Sequence, residues 1–241
     1  MSKIYEALHL NEVDFAGSSE PLAIAGMPMG TPSREFEEKL LALHRRIESS
    51  LAVEDAKVVS IVGMQSVKQG FTYTYELARL ASEHLKQRVL ILCTQQSGTS
   101  QHLLRQPAAS IGWEKAVFED KPLSEAILHV SKPPISVSQL NATPGSLAGL
   151  AASHRTQDHL RRLRKRYDLI LIDSRPLPDG LDAALLGPLA DGTVLIVDAG
   201  VARWQVVRSA VEQLVSQQGT FLGVVLNKRR HYIPGFIYQR L

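Results

Sequence analysis

The stretch Gly63-Met-Gln-Ser-Val-Lys-Gln-Gly-Phe-Thr72 lies between an apolar run, KVVSIV (57–62), and a helical pattern, YTYELARLASEHL (73–85). A strand, a glycine-bounded loop and a helix form the arrangement that binds phosphate, because backbone N–H groups and the helix N-terminus converge on an anion. The working loop reads Gly-x-x-x-x-Gly-Lys-Ser/Thr; its lysine reaches the terminal phosphates and its hydroxyl binds magnesium. This chain keeps Gly63 and Gly70 but continues with Phe71 and Thr72. Lys68, two residues before Gly70, either reaches a phosphate from there or is a solvated loop lysine. Thr72 either supplies a hydroxyl in a register shifted by one residue or enters the following helix.

Other residues with chemistry sit at the ends of apolar runs. Asp173 closes DLILIDS (168–174) and either binds a metal or braces the turn after it. Asn227 closes FLGVVLN (221–227), where a strand-end asparagine can brace the turn. Asp182 is either a functional carboxylate or a surface one, and Cys93 reads as a packed core thiol. No histidine stands at metal-ligand spacing with another donor, so no metal site is assigned.

These residues need a scaffold, and the hydrophobic pattern supplies one. Strand-like runs cover 57–63, 88–93, 134–140, 168–174, 192–199 and 221–227, with helical patterns at 72–86, 122–130, 155–166, 181–190 and 202–217. Near-continuous apolar strands alternating with helices predict a doubly wound, mainly parallel α/β sheet covered on both faces. Ligands in such sheets sit at the carboxyl ends of the strands, where the candidates above lie. Residues 1–14 pattern as a short helix, 16–33 as a Gly/Pro/Ser/Ala-rich linker, and 34–51 as an amphipathic helix with Phe36, Leu40, Leu43, Ile47 and Leu51 on one face. The expected division is an N-terminal helix and flexible linker over 1–33, part of a helical arm, and one α/β domain over 34–241.

A chain of 241 residues with 44% hydrophobic content can bury a core without disulfides, and its one cysteine fits a reducing cytosol. No apolar run approaches the ~20 residues of a membrane span, and no secretory signal is visible. A net charge of +3 gives no global case for nucleic acid, although HLRRLRKRY (159–167) and NKRRHY (227–232) are local basic clusters. The first of these reads as the solvated face of a helix.

Several segments resemble one family. MSKIYEAL (1–8), YDLILIDSRPLPDGLDAALLGPLADGTVLIVDAG (167–200) and GVVLNKRRHYIPGFIYQRL (223–241) are similar to the cytoplasmic P-loop domain of bacterial tyrosine kinases in capsule and exopolysaccharide synthesis. That family belongs to the deviant-Walker ATPases, with the septum-site and plasmid-partition ATPases. The resemblance implies a P-loop NTPase-like fold, with Asp173 as the Walker B aspartate and Asn227 against an adenine.

The departures from the family pattern carry the functional expectation. Aligned on YELARLA (75–81), the family's Walker A lysine falls at Gly70 and its Ser/Thr at Phe71; shifting by one residue puts Phe71 at the lysine. The second carboxylate motif falls on Cys93-Thr94-Gln95 and has lost both acids. A lost lysine–phosphate pair at ~4 Å forfeits roughly 4 kcal/mol at an effective dielectric near 20. Phosphoryl transfer rests on positioning and electrostatics, so catalysis suffers more than binding. The expectation is a catalytically degenerate, kinase-like subunit, acting as a partner or regulator in exopolysaccharide synthesis or export and taking no cofactor. The alternative is an active tyrosine autokinase or ATPase whose rearranged loop takes ATP and Mg. The resemblance implies a membrane chain-length or co-polymerase protein as partner, hence a cytoplasmic place at the inner membrane, with self-association open and no nucleic acid. In the tail, Tyr232, Ile233, Pro234 and Tyr238 read as a docking segment in preference to an autophosphorylated tyrosine cluster.

Overall fold

The computed structural model describes residues 13–15, 34–65, 67–94, 111–130, 132–140, 144–177, 182–216 and 220–227. In chain order the elements are β1 (Val13–Phe15), α1 (Arg34–Ser50), β2 (Lys57–Gly63), α2 (Val67–Glu83), β3 (Val89–Cys93), α3 (Trp113–Phe118), α4 (Leu123–Ala126), β4 (Ile127–Val130), β5 (Ile135–Gln139), α5 (Pro144–Ala152), α6 (His154–Arg164), β6 (Leu169–Ser174), α7 (Asp182–Leu186), a 3₁₀ turn (Gly187–Leu189), β7 (Gly192–Asp198), α8 (Trp204–Val215) and β8 (Thr220–Asn227).

One sheet runs in the order β1-β8-β7-β2-β6-β3-β5-β4. All pairs are parallel except β4–β5. The expected doubly wound sheet is therefore what the chain forms. Its central strands are apolar on both faces because both faces are covered. On β2, Val59 and Ile61 enter the core under α1 and α2. Val58 and Val62 enter the cores formed with α3 and α5–α8 on the other side. The α1 stripe behaves as its spacing predicts: Leu40, Leu43, Ile47 and Leu51 are buried, and the Phe36 ring meets Tyr73 edge-on at 5.5 Å.

Four features depart from the sequence pattern. Residues 122–130 are not one helix: α4 stops at Ala126, and Ile127–Val130 pair antiparallel with β5. The turn at 132–134 carries two prolines, which favour extended chain before them and return the strand on itself. α3 and α5, not expected, cover the far face. Val13 and Asp14, expected at the end of a helix, lie in β1 beside β8. α2 starts at Val67, one turn earlier than expected. Among the described residues no helix is long and apolar enough to cross a membrane.

At the amino ends of the strands, Arg164 of α6 forks onto Asp191 with two 2.7 Å contacts, and Asp191 accepts the Val58 N–H at 2.7 Å. Arg161 pairs with Asp158 at 2.7 Å. Two arginines of the basic stretch 159–167 thus serve the fold or a local pair, while His159, Leu160, Leu163 and Tyr167 are buried.

Candidate functional site at the carboxyl ends of the central strands

The strand order reverses at β2. The chain leaves β2 toward β3 on one side, and later crosses from β6 to β7 on the other. The carboxyl ends of β2, β6 and β7 flank this switch point, where open α/β sheets bind ligands. Gly63, Asp173 and Asp198 lie there.

Only Met64, Gln65 and Ser66 separate β2 from α2. The backbone of Val67, Lys68, Gln69 and Gly70 is the first turn of α2, so the chain length that would wrap a phosphate is wound into helix. Lys68 is placed by its backbone in that turn; its side chain lies outside the described residues. Gly70 lets this turn settle on β2: a Cβ at Gly70 would stand 3.3 Å from Gly63 N and 3.5 Å from Asp173 Oδ1. The Met64 N–H continues the ladder by donating to Ile196 O at 2.9 Å.

The next residue turns inward. Phe71 is 2% exposed, lies in the core under α1 and α2, and stacks on Tyr75 with ring centroids 6.3 Å apart. Thr72 is buried within α2. In the register aligned on YELARLA, the lysine position has no side chain and the hydroxyl position holds a core ring.

Asp173 is 1% exposed. Its Oδ1 lies 3.4 Å from Thr74 Oγ1, whose hydroxyl donates to Gly70 O at the shorter distance of 2.9 Å. Among the described residues no Lys, Arg or His forms an ion pair with it. Burial pushes its carboxyl well above the usual carboxylate range, and the Thr74 contact acts in the opposite direction. Beside it in β3, Cys93 is wholly buried, and burial followed by the Asp173 charge raises its thiol well above the ordinary value. Thr94 turns back on the same strand: its N–H and its hydroxyl donate to Asp173 O at 3.1 and 3.0 Å. Gln95 lies outside the described residues.

Asn227 is already engaged. Its Oδ1 accepts from Tyr73 Oη at 2.7 Å, and its Nδ2 donates to Asp198 Oδ1 at 2.7 Å. The Asp198 backbone is held in turn by the Gln65 amide, whose Oε1 accepts the Asp198 N–H at 2.9 Å. Burial, and then the Asp198 charge, raise the Tyr73 hydroxyl well above its ordinary range, so it stays a neutral donor. This chain of contacts joins the β2–α2 turn, α2, β7 and β8. Sequence reading placed Asn227 and Asp198 at strand ends but gave no role to Gln65 or Tyr73. Their only signal was position, in the glycine-bounded stretch and one residue past it.

Asp182 begins α7, with its side chain outside the described residues; Tyr232, Ile233, Pro234 and Tyr238 lie outside them entirely. Among the described residues no group of three His, Cys, Asp or Glu is placed to hold a metal.

No family model matches the chain. The tyrosine-protein kinase CpsD of Streptococcus pneumoniae serotype 4 (strain ATCC BAA-334 / TIGR4) is 31% identical over 106 residues, 44% of this chain and 47% of that protein, so this match spans about half the relative's length. A second Streptococcus pneumoniae tyrosine-protein kinase CpsD is 22% identical over 206 residues, 82% of this chain and 91% of that protein. The kinase domain of the Escherichia coli tyrosine kinase ETK shares the fold with a TM-score of 0.71 at 20% identity, covering 83% of this chain and 79% of that one. The chain is thus similar to bacterial tyrosine-protein kinases over most of its length and shares the fold of the ETK kinase domain.

Proposed function

We propose that this relative of the capsule tyrosine kinases is a catalytically degenerate subunit that works by binding partners in a machine making or exporting exopolysaccharide. The observation that carries this reading is the helical turn 67–70, seated with Gly70 against Gly63 where a phosphate loop would stand open. Three further features support it. Phe71 gives a core ring in place of a hydroxyl. Asp173 is 1% exposed, and burial raises its carboxyl well above the usual carboxylate range. Asn227 has both ends of its amide engaged within the protein. These features argue against the described residues holding a magnesium nucleotide as a P-loop does.

Calorimetric titration with ATP and ADP, each with magnesium, tests this reading. The parent chain, Lys68→Ala and Asp173→Ala are compared. The expected result is no binding at millimolar nucleotide for any of them. Micromolar binding by the parent chain, abolished by either change, would overturn it.

One observation favours a second reading, an active autokinase with ATP and Mg: Asp173 keeps its place at the end of β6, beside the β2–α2 turn. Labelled phosphate on Tyr232 or Tyr238, absent in Asp173→Ala, would establish it. The partner in the first reading is the cytoplasmic tail of a membrane chain-length or co-polymerase protein, which would place this chain at the inner membrane. Hydrogen exchange on mixing with such a tail reads this directly; unchanged protection throughout the chain counts against docking.

A further inference from the structure

The outer edge of β8 has two unlike halves. Toward its start the register to β7 slips: Thr193 pairs with Phe221 but Val194 pairs with Gly223, which sits at φ 138°. A bulge of this kind bends an edge away from strand pairing. Toward its end β8 is regular, and there β1 adds in parallel, with Val13, Asp14 and Phe15 opposite Val225, Leu226 and Asn227. The regular half is the half that would otherwise accept any extended chain.

This added strand ends beside the candidate site. Phe15 is the register partner of Asn227, whose side chain joins Tyr73 to Asp198 and whose carbonyl accepts the Ala199 N–H at 2.8 Å. β1 is short, has β8 as its only strand neighbour among the described residues, and packs beside α1. Three paired residues make few hydrogen bonds, and ordering the segment opposes them, so such a pairing is easily displaced. The 18 residues between Phe15 and Arg34 are long enough for the segment to leave and return.

We propose that the Val225–Asn227 edge is a strand-addition site whose occupant is the chain's own segment Val13–Phe15, and that docking and release of this segment control how firmly Asn227 is held. The N-terminal arm is then a regulatory element of the site, acting through β8 backbone. A parallel strand at this edge steadies the end of β8. Release frees both the edge and the turn that leads from Asp198 to α8.

Hydrogen exchange on the full chain tests this, comparing the parent with Asp14→Pro, which removes a backbone donor from the added strand. The expected result is exchange faster by about tenfold or more at 224–227 and at Ala199, with β2 and β6 unchanged. A synthetic peptide of residues 10–17 added to the variant is expected to restore protection at the same amides. Val13→Pro serves as the second variant: adjacent N–H groups of a strand face opposite sides, so one of the two substitutions removes a donor to β8 and that one is expected to speed exchange. Unchanged exchange at 224–227 in both variants would overturn the proposal. So would light scattering showing a dimer of the parent that either variant dissolves, because the strand would then come from a second copy.

Discussion

Gly70 stands against Gly63 so closely that one added carbon would lie 3.3 Å from the Gly63 nitrogen. Placing lysine there, Gly70→Lys, returns the family's cation to its aligned register but leaves the helical turn 67–70 and the buried Phe71 in place. The expected outcome is that this variant still binds no magnesium nucleotide, read by calorimetry. Gly70→Ala gains about 1 kcal/mol of helix propensity and meets crowding of opposite sign, so its denaturant midpoint should stay within about 1 kcal/mol of the parent.

Asp173 predicts a pH dependence with a definite sign. Its folded carboxyl is raised above the unfolded one, so the folded state holds the proton more tightly. Its contribution to stability is full below the ordinary carboxylate value, about 4, and is lost as pH rises toward the raised value. Each tenfold difference in proton affinity between the two states is worth about 1.4 kcal/mol across that window. Asp173→Asn, which keeps the shape and cannot ionise, should flatten this part of the stability profile in urea titrations at a series of pH values. A parent profile that instead rises over the same window, and rises no less in Asp173→Asn, would contradict the raised carboxyl of Asp173.

Tyr73 and Asn227 should prove energetically coupled. Tyr73→Phe leaves the ring and removes the donor to Asn227 Oδ1, and is expected to cost about 1–2 kcal/mol. Asn227→Ala should cost a similar amount, and the double variant clearly less than the sum. Denaturant unfolding of the four proteins measures the coupling; strict additivity would deny the contact.

Arg79 of α2 pairs across to Glu37 of α1 at 2.7 Å and with two carboxylates of its own helix, Glu76 at 2.9 Å and Glu83 at 2.8 Å. Glu76 is 4% exposed, so Arg79→Ala strands a buried acid. The expected loss is about 2–4 kcal/mol, with only partial recovery in Arg79→Lys, whose single ammonium cannot serve three acceptors in fork geometry. Thermal unfolding reads both.

The parallel sheet was legible because β2, β3, β6 and β7 are continuous apolar runs, and α1 because its apolar residues fall at helical spacing. The edges were not. β4 reads ILHV after a helical LSEA, and only its pairing with β5 makes it a strand. β1 is three residues within a pattern that suits a helix equally well, and its partner lies more than 200 residues away. At the site, Gly63, Gly70, Asp173 and Asn227 were marked by their places at strand ends. The early start of α2 was missed although Ser66-Val-Lys-Gln matches the capping-box pattern, because Gly70 is a poor helix former and the glycine-bounded stretch read as a loop. Tyr73 and Gln65 find partners 154 and 133 residues away, a relation no local pattern encodes.

The sheet ends in a three-residue strand on one side and a four-residue strand on the other. Neither offers the long, flat row of open amides along which copies of a chain template one another into fibres. Among the described residues, growth by sheet continuation is thereby disfavoured at both ends while β1 is docked. At high local concentration, copies of this protein then meet more readily through helices and loops, contacts that form and dissolve without converting into cross-β deposits.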